Sequence, residues 1–144
     1  MGCAEQREKD SFFSFRNQYQ MVSCIRSRNI NAVEELFRKG FQPDFHMPSF
    51  NGRTALHIAV AAGLRGICDV ILRQEGVLVD AKDDNGMTPL MTAAEGDSFE
   101  VAKLLLDQDP PADIHLFNKF GKTALNYAHT DRMKKLLENS EWEA

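Results

Sequence analysis

The sequence predicts an all-α repeat protein, a stack of about four helix–turn–helix units. Three segments of the form Thr-Ala/Pro-Leu begin at Thr54, Thr88 and Thr123, at spacings of 34 and 35 residues. Apolar residues follow each threonine at helical intervals, and segments that contain glycine or proline separate the helices. A fixed period of about 20–50 residues is typical of proteins whose units stack to bury a shared core. We expect the first and last units to act as caps, because terminal units must cover the open ends of the stack.

The overall composition narrows the class of function. The 144-residue chain has 43 % hydrophobic residues, 26 % charged residues and a net charge of −4, as expected of a soluble, folded protein. Charges interrupt every apolar run before it reaches the roughly 18 residues of a membrane helix, and mild acidity argues against nucleic acid as the main partner. Three distant cysteines form neither a disulfide framework nor a zinc spacing. We therefore expect a monomer in the cytoplasm and/or nucleus, without a cofactor or transmembrane segment.

Residues 1–14 are interpreted as an N-terminal arm. The arm is charged at first and then carries Phe12, Phe13 and Phe15. We predict that these rings cover the open end of the first helices, because repeat arrays need atypical ends to hide core surface.

Residues 15–144 are predicted to form a single domain. Its first unit lacks the Thr-Ala-Leu motif, but apolar residues recur every three or four positions on both sides of a polar break. Asn31 is expected to cap the helix after this break, and Gly40 to end it. The predicted units are 15–48, 49–82, 83–117 and a truncated unit 118–139, followed by a polar tail.

The middle units carry clear signals for helix ends. Thr54 is expected to cap a helix that Gly63 ends in a left-handed conformation. Thr88 caps the equivalent helix of the next unit, and Pro89 takes the first helical position, where a missing N–H group costs nothing. In the last unit Thr123 is the cap, and the second helix is predicted to be cut short.

The segments that connect the units are called fingers here. The first, second and third fingers are residues 41–53, 77–87 and 113–122. Turn sequences at Asn51-Gly52 and Asn85-Gly86 predict hairpin-like tips, and Phe120-Gly121 takes the same place in the third finger.

These motifs resemble the ankyrin repeat. The match is closest over residues 51–57, followed by Gly63, and over residues 83–90; in the last unit only residues 121–125 fit well. The resemblance implies a curved ankyrin solenoid of antiparallel helix pairs and fingers. Two connections, between Phe37 and Asp44 and between Leu106 and Asp113, are about two residues longer than the family pattern.

The resemblance also assigns a structural role to the histidine that follows the leucine of the motif. In the family this side chain joins neighbouring turns by hydrogen bonds. It is present as His57, but Met91 and Asn126 replace it in the later units. We expect the C-terminal half to be locally weaker for this reason.

Partner contacts are implied by the resemblance at the finger tips and at the exposed ends of the first helices. Carried over position by position, the predicted partner-binding residues are Phe50, Asn51, Arg53, Lys82, Asp84, Asn85, Met87, Glu95, Phe117, Lys119, Phe120 and Lys122.

Two features of this set suggest an interface. Phe50, Met87, Phe117 and Phe120 are large apolar residues at positions expected to face water, although an inward orientation of Phe117 stays open. Exposed aromatic side chains beside basic ones are enriched in interface hot spots.

A basic row is the second feature. It consists of Arg53, Lys82, Lys119 and Lys122 in an otherwise acidic chain. The row is either a binding site for an acidic segment of the partner or a solvated rim.

Neither a catalytic nor a metal site is predicted. Nucleophile–base pairs, phosphate loops and metal-ligand spacings are all missing from the sequence. The leading hypothesis is a non-catalytic module that binds another protein. It would be a small regulatory or inhibitory binding protein that uses its finger tips and concave helix face.

Three alternatives stay open: a scaffold or adaptor on a membrane, one part of a longer polypeptide, and an enzyme with an unrecognised site. The first would need acylation at Gly2 or Cys3, although Gln6 stands where myristoylation favours serine or threonine. The intact mass of protein from native cells tests for the acyl chain.

Overall fold

The computed structural model describes residues 3–142, and this part of the chain is a series of helices joined by turns. A 3-10 turn, Pro48–Phe50, lies in the first finger. The nine α-helices of the described residues are α1 Cys3–Arg16, α2 Gln18–Arg26, α3 Ile30–Arg38, α4 Ala55–Ala61, α5 Arg65–Leu72, α6 Pro89–Glu95, α7 Phe99–Leu106, α8 Ala124–Tyr127 and α9 Asp131–Trp142.

The helices form two stacked layers. The first helices of the units, α2, α4, α6 and α8, pack against one another in that order, and the second helices α3, α5, α7 and α9 do the same. The two helices of each unit also pack together. Leu56, Leu90 and Leu105 are fully buried in the resulting core. This order of contacts confirms the predicted all-α solenoid.

The N-terminal arm is a helix, and only part of it covers the core. Phe13 packs against the buried cluster, and the Ser14 hydroxyl accepts a hydrogen bond from the backbone N–H of Gln42 (2.8 Å). Phe12 and Phe15 are 64 % and 52 % exposed. The prediction that all three rings cover the first helices was therefore wrong for two of them, because successive helical positions point in different directions. The proposed acylation positions, Gly2 and the side chain of Cys3, lie outside the described residues.

The first unit has its cap two positions earlier than predicted. Helix α3 begins at Ile30, and the Asn29 side chain accepts a hydrogen bond from the Ala32 N–H (3.1 Å). Arg28 adopts a left-handed conformation, with φ of 62°, at the turn between α2 and α3. Asn31, the predicted cap, lies inside the first turn of α3.

Each finger tip is a turn closed by hydrogen bonds. In the second finger the Asp83 N–H donates to the Met87 carbonyl (3.1 Å), and the third finger repeats this pattern. Within residues 3–142 the β pairing is confined to one isolated bridge, between Met47 and Arg53. The hairpin-like tips are therefore present as turns and not as paired strands.

Neighbouring fingers are joined through their backbones. The Asp84 N–H donates to the Asn51 carbonyl, and the Lys119 N–H donates to the Asn85 carbonyl, both at 2.9 Å. Gly86 lies at this second junction with φ of 75°. A methyl group on its α-carbon would lie 2.9 Å from the Lys119 backbone nitrogen, so the close approach of the fingers requires glycine there.

In the last unit the first helix is short and the second is long, whereas the sequence predicted a short second helix. Helix α8 has four residues, whereas α9 has 12 and extends to Trp142 through the segment predicted as a polar tail. Leu125 on α8 is 38 % exposed, whereas the equivalent Leu56 and Leu90 are buried. The polar residues Asn139, Ser140 and Glu141 near the end of α9 hid this extension in the sequence.

Candidate functional site

The buried side chain of His57 ties a helix cap to the next finger. The Thr54 N–H donates to Nδ1 of His57 (3.0 Å), so the ring proton resides on Nε2, which donates to the Met87 carbonyl (2.9 Å). Burial lowers the pKa of His57, an effect that the hydrogen bond to Met87 partly offsets. The ring is therefore neutral, and it fixes the base of the second finger against α4.

The replacements of this histidine keep different parts of its role. The side-chain amide oxygen of Asn126 accepts a hydrogen bond from the Thr123 N–H (2.9 Å), which preserves the local cap. The Met91 side chain is buried and fills space, and the Thr88 hydroxyl caps that helix by accepting from the Met91 N–H (3.3 Å). Within the described residues neither replacement makes the bridge that His57 makes to the following finger.

Asp83 and Asn118 hold the tips of the second and third fingers, and they were not among the predicted site residues. One carboxylate oxygen of Asp83 accepts from the N–H groups of Asn85 and Met87, both at 2.9 Å. The side-chain amide oxygen of Asn118 accepts from the backbone N–H groups of Phe120 (2.9 Å) and Lys122 (3.0 Å). Each lies five residues before a capping threonine, and this shared offset was the sequence signal that could have found them.

The third finger presents two aromatic side chains to water. Phe117 and Phe120 are each 61 % exposed. This resolves the orientation of Phe117, which does not turn inward onto the finger. Apolar surface of this kind, rimmed by polar residues, is typical of sites that bind proteins.

Three exposed lysines lie on the second and third fingers, and these two rings lie on the third. The Lys82 Nζ donates to the Phe117 carbonyl (3.3 Å), which places the second finger's lysine beside the third finger. The Lys122 Nζ lies 5.6 Å from the centre of the Tyr127 ring. Lys119 is exposed between the two phenylalanines in the chain. These five residues, Phe117, Phe120, Lys82, Lys119 and Lys122, are called the aromatic–lysine patch below.

Two apolar residues that we expected to face water are half-buried. The Phe50 ring packs edge-on against Tyr19, with 5.3 Å between the ring centres. Met87 packs against the core, and its sulfur accepts a hydrogen bond from the Asn118 side-chain amide (3.2 Å). Both contacts come from residues 31 positions away along the chain, which is why the local sequence did not reveal them.

The members of the basic row differ in their contacts. Arg53 is half-buried, and its Nε lies 3.7 Å from a carboxylate oxygen of Asp83. This oxygen belongs to a buried side chain, so Arg53 has an ion-pair partner within the protein. The other three members are the exposed lysines of the aromatic–lysine patch.

The other predicted contact residues are exposed but do not belong to the aromatic–lysine patch. Asn51, Asp84 and Asn85 use their backbone groups to join the fingers, which leaves their side chains facing solvent. Glu95 is exposed in the last turn of α6. These residues form a polar margin along the finger tips and the helix ends.

Side chains of the last unit join it to the unit before. The Thr130 hydroxyl donates to the Asp97 carboxylate (2.8 Å), and an Arg132 nitrogen lies 3.4 Å from a Glu100 oxygen. The guanidinium carbon of Arg132 also lies 3.7 Å from the centre of the Phe99 ring. These contacts join the start of α9 to the start of α7.

Chemical groups suited to metal binding are not clustered in the part of the chain that the structure describes. No group of three or more histidine, cysteine or acidic side chains there could hold a metal ion. Among residues 3–142, no helix has both the length and the apolar character needed to cross a membrane.

Cys68 provides a test of core packing. Its side chain is fully buried, and burial raises the pKa of the thiol to about 12. Because the thiolate is the reactive form, we expect Cys68 to resist iodoacetamide in the native protein while half-buried Cys24 reacts first. Both should react in denaturant, and mass mapping of the peptides distinguishes them. Equal alkylation of Cys68 and Cys24 in the native state would contradict this packing.

Comparisons with known proteins identify the repeat. Residues 51–84 match the family described as ankyrin repeat, and residues 71–128 match the description ankyrin repeats (many copies). Neurogenic locus notch homolog protein 1 of Xenopus tropicalis is 34 % identical over 101 residues, which is 67 % of this chain and 4 % of that protein.

Two further relatives come from other organisms. The ankyrin repeat and KH domain-containing protein mask of Drosophila melanogaster is 30 % identical over 118 residues, 80 % of this chain and 3 % of that protein. Protein phosphatase 1 regulatory subunit 12A of Mus musculus is 36 % identical over 88 residues, 61 % of this chain and 8 % of that protein.

The chain thus spans a small fraction of each of these relatives, and what they share with it is the repeat. The ankyrin repeat is a non-enzymatic interaction fold, and both the fold and these relatives fit a module that binds other proteins. The chain belongs to the ankyrin repeat family.

Proposed function

We propose that the protein is a non-catalytic regulatory or inhibitory binding protein that occupies the surface of another protein through its aromatic–lysine patch. The observation that carries this proposal is the exposure of Phe117 and Phe120, each at 61 %, among three exposed lysines. Burying two phenylalanine rings supplies binding free energy, because aromatic side chains bury large apolar areas.

The charge of the patch specifies the chemistry of the partner. Three lysines in a chain of net charge −4 favour an acidic segment with an apolar side chain that packs on the rings. The polar margin, Asn51, Asp84, Asn85 and Glu95, would supply hydrogen bonds around this contact. The hydrogen bonds between fingers hold the patch in shape before binding, which reduces the entropy lost on association.

The regulatory role rests on analogy with the relatives. One of them carries the name of a regulatory subunit of protein phosphatase 1, and the match covers 8 % of that protein. The proposal includes a monomer that acts in the cytoplasm and/or nucleus as a single domain over residues 15–144. It assigns neither catalysis nor a cofactor to this chain.

The double substitution F117A/F120A tests the proposal. We expect capture of the partner from native lysate to fall more than about tenfold, because hot-spot residues contribute about 2 kcal/mol or more each. The melting temperature should change little, since both rings are mainly in water. Quantitative mass spectrometry of the captured proteins and circular dichroism provide the two measurements.

The matched control is F12A/F15A, which removes two other exposed phenylalanines from α1. Proteins that bind specifically to the patch should be retained by this control. Loss of the same proteins from both variants would indicate general hydrophobic adhesion and would contradict the proposal. Phe50 is unsuitable for this test, because its contact with Tyr19 gives it a structural role.

A further inference from the structure

Two adjoining grooves lie on a part of the surface that the proposed function does not use. The larger groove has a volume of about 800 Å³ and lies between the end of α7, the connection that follows it and α9. The smaller has a volume of about 420 Å³ and lies between the end of α5 and the same connection. Asp80 and Pro110 line both grooves, so the two are neighbours that share one ridge. None of the 12 predicted partner-binding residues lines either groove.

Apolar side chains form the floors of both grooves. Leu106, Ile114 and Leu136 line the larger groove, and each is half-buried. In the smaller groove Leu78 is 47 % exposed, beside half-buried Val79. Two neighbouring apolar grooves fit an extended ligand that carries two apolar side chains.

Prolines give the shared wall a fixed shape. Pro110 and Pro111 lie in the connection after α7, which is one of the two connections that are longer than the family pattern. Because proline restricts φ, this wall needs little ordering when a ligand binds.

The rim of the grooves is strongly acidic. Asp80, Asp107, Asp109 and Asp113 line the two grooves, against a single lysine, Lys103. Within the described residues none of these four carboxylates forms an ion pair. The rim therefore offers negative charge that the protein itself does not neutralise.

Two of these carboxylates meet at the shared ridge. A carboxylate oxygen of Asp80 accepts a hydrogen bond from the Asp113 N–H (3.0 Å). Partial burial raises the pKa of Asp80; the hydrogen bond from the Asp113 N–H lowers it, and the negative charge of Asp113 raises it. A cation placed beside both groups would relieve this repulsion and replace lost hydration.

We propose that the two grooves form one binding site for an extended basic segment of a partner protein. Two apolar side chains of the segment enter the two grooves, and a lysine or arginine between them lies at the ridge beside Asp80 and Asp113. The site is separate from the aromatic–lysine patch, whose lysines select the opposite charge. The protein could thereby hold two segments of different charge at once.

A fluorescent 12-residue peptide that contains two leucines and four lysines or arginines tests this site by anisotropy on the full chain. We expect saturable binding that weakens with salt, and at least tenfold weaker binding of a matched peptide with glutamate at the basic positions. Variant D80N/D113N should bind the basic peptide at least fivefold more weakly. Asparagine keeps the carbonyl oxygens that accept the local hydrogen bonds, so the fold should persist.

The matched control is D84N/E95Q, which makes the same charge change on the finger side. We expect it to bind the basic peptide as the wild type does. Equal weakening in both variants would show diffuse charge attraction, and no difference between wild type and D80N/D113N would also overturn the proposal.

A second measurement does not depend on any variant. Methyl NMR of the wild-type chain should show peptide-induced shifts at Leu106, Ile114 and Leu136, and none at Leu125. Absence of shifts at the groove would overturn the site. The F117A/F120A variant should bind this peptide normally, so failure of the patch and failure of the groove are distinguishable.

Discussion

Replacing His57 by alanine is expected to lower the free energy of unfolding by roughly 2–4 kcal/mol, because a buried polar group left without a partner costs about 1–3 kcal/mol and further packing is lost. The Thr54 N–H loses its acceptor, whereas the Met87 carbonyl keeps the hydrogen bond from Asp83. Such a loss is a large part of a total stability of about 5–15 kcal/mol. Urea unfolding followed by circular dichroism measures it.

The last unit supplies a matched variant for the same position. His57→Asn introduces the residue found at position 126, where the amide oxygen keeps the local cap. We expect this variant to lose less than half as much stability as His57→Ala, since only the bridge to Met87 is removed. Equal losses in the two variants would show that the cap contributes little, contrary to this expectation.

The same histidine gives stability a defined dependence on pH. Burial lowers its pKa in the folded state below the ordinary value of 6.5. Below that value the unfolded chain takes up a proton that the folded chain does not, so stability falls as the pH decreases, by at most about 1.4 kcal/mol per pH unit. We expect His57→Asn to flatten the slope between about pH 6.5 and the lowered pKa. An exposed histidine, His129, serves as the control, and an unchanged slope in His57→Asn would contradict the argument.

Gly86→Ala is expected to cause the second large effect, a loss of roughly 2–5 kcal/mol in the free energy of unfolding. A left-handed conformation costs a residue with a β-carbon about 1–2 kcal/mol, and overpacking adds about 1–3 kcal/mol. The new methyl group would lie 2.9 Å from the Lys119 backbone nitrogen, which cannot rotate away as a side chain can. The fingers would have to separate, and the hydrogen bond from Lys119 to Asn85 would be strained.

Gly121→Ala separates the two causes. Gly121 has φ of 72°, nearly the same as Gly86, but nothing lies within 4 Å of an added methyl group. We expect it to lose only the conformational part, about 1–2 kcal/mol. The difference in unfolding free energy between the two variants measures the contact between fingers. If Gly121→Ala were as damaging as Gly86→Ala, that contact would contribute nothing.

Sequence reasoning succeeded where the determining interactions are local. The caps at Thr54, Thr88 and Thr123 and the turn glycines depend on residues a few positions away, and the repeat period aligned them. The helices that follow each threonine were predicted for the same reason, whereas the stacking of the units followed from the resemblance to the ankyrin repeat. The period also indicated which positions lie at the finger tips.

Sequence reasoning failed where distant residues decide the contacts of a side chain. Phe50 is half-buried because Tyr19 packs on it, and Arg53 forms an ion pair because Asp83 of the next finger lies beside it. No pattern near either residue contains this information. The grooves were likewise unpredictable, because three separate segments form their walls.

The hydrogen bonds that join neighbouring units, here called ties, have a consequence for the lifetime of the protein and its complexes. Each tie joins adjacent units only, and the last unit has a four-residue first helix, α8, and no histidine bridge. Fraying should therefore start there and leave the earlier units folded. The third finger, with Phe117 and Phe120, extends into this unit. A bound partner that requires the ordered finger would oppose its opening by mass action, so occupancy would protect the C-terminal unit from proteases and would set the rate at which the chain is degraded.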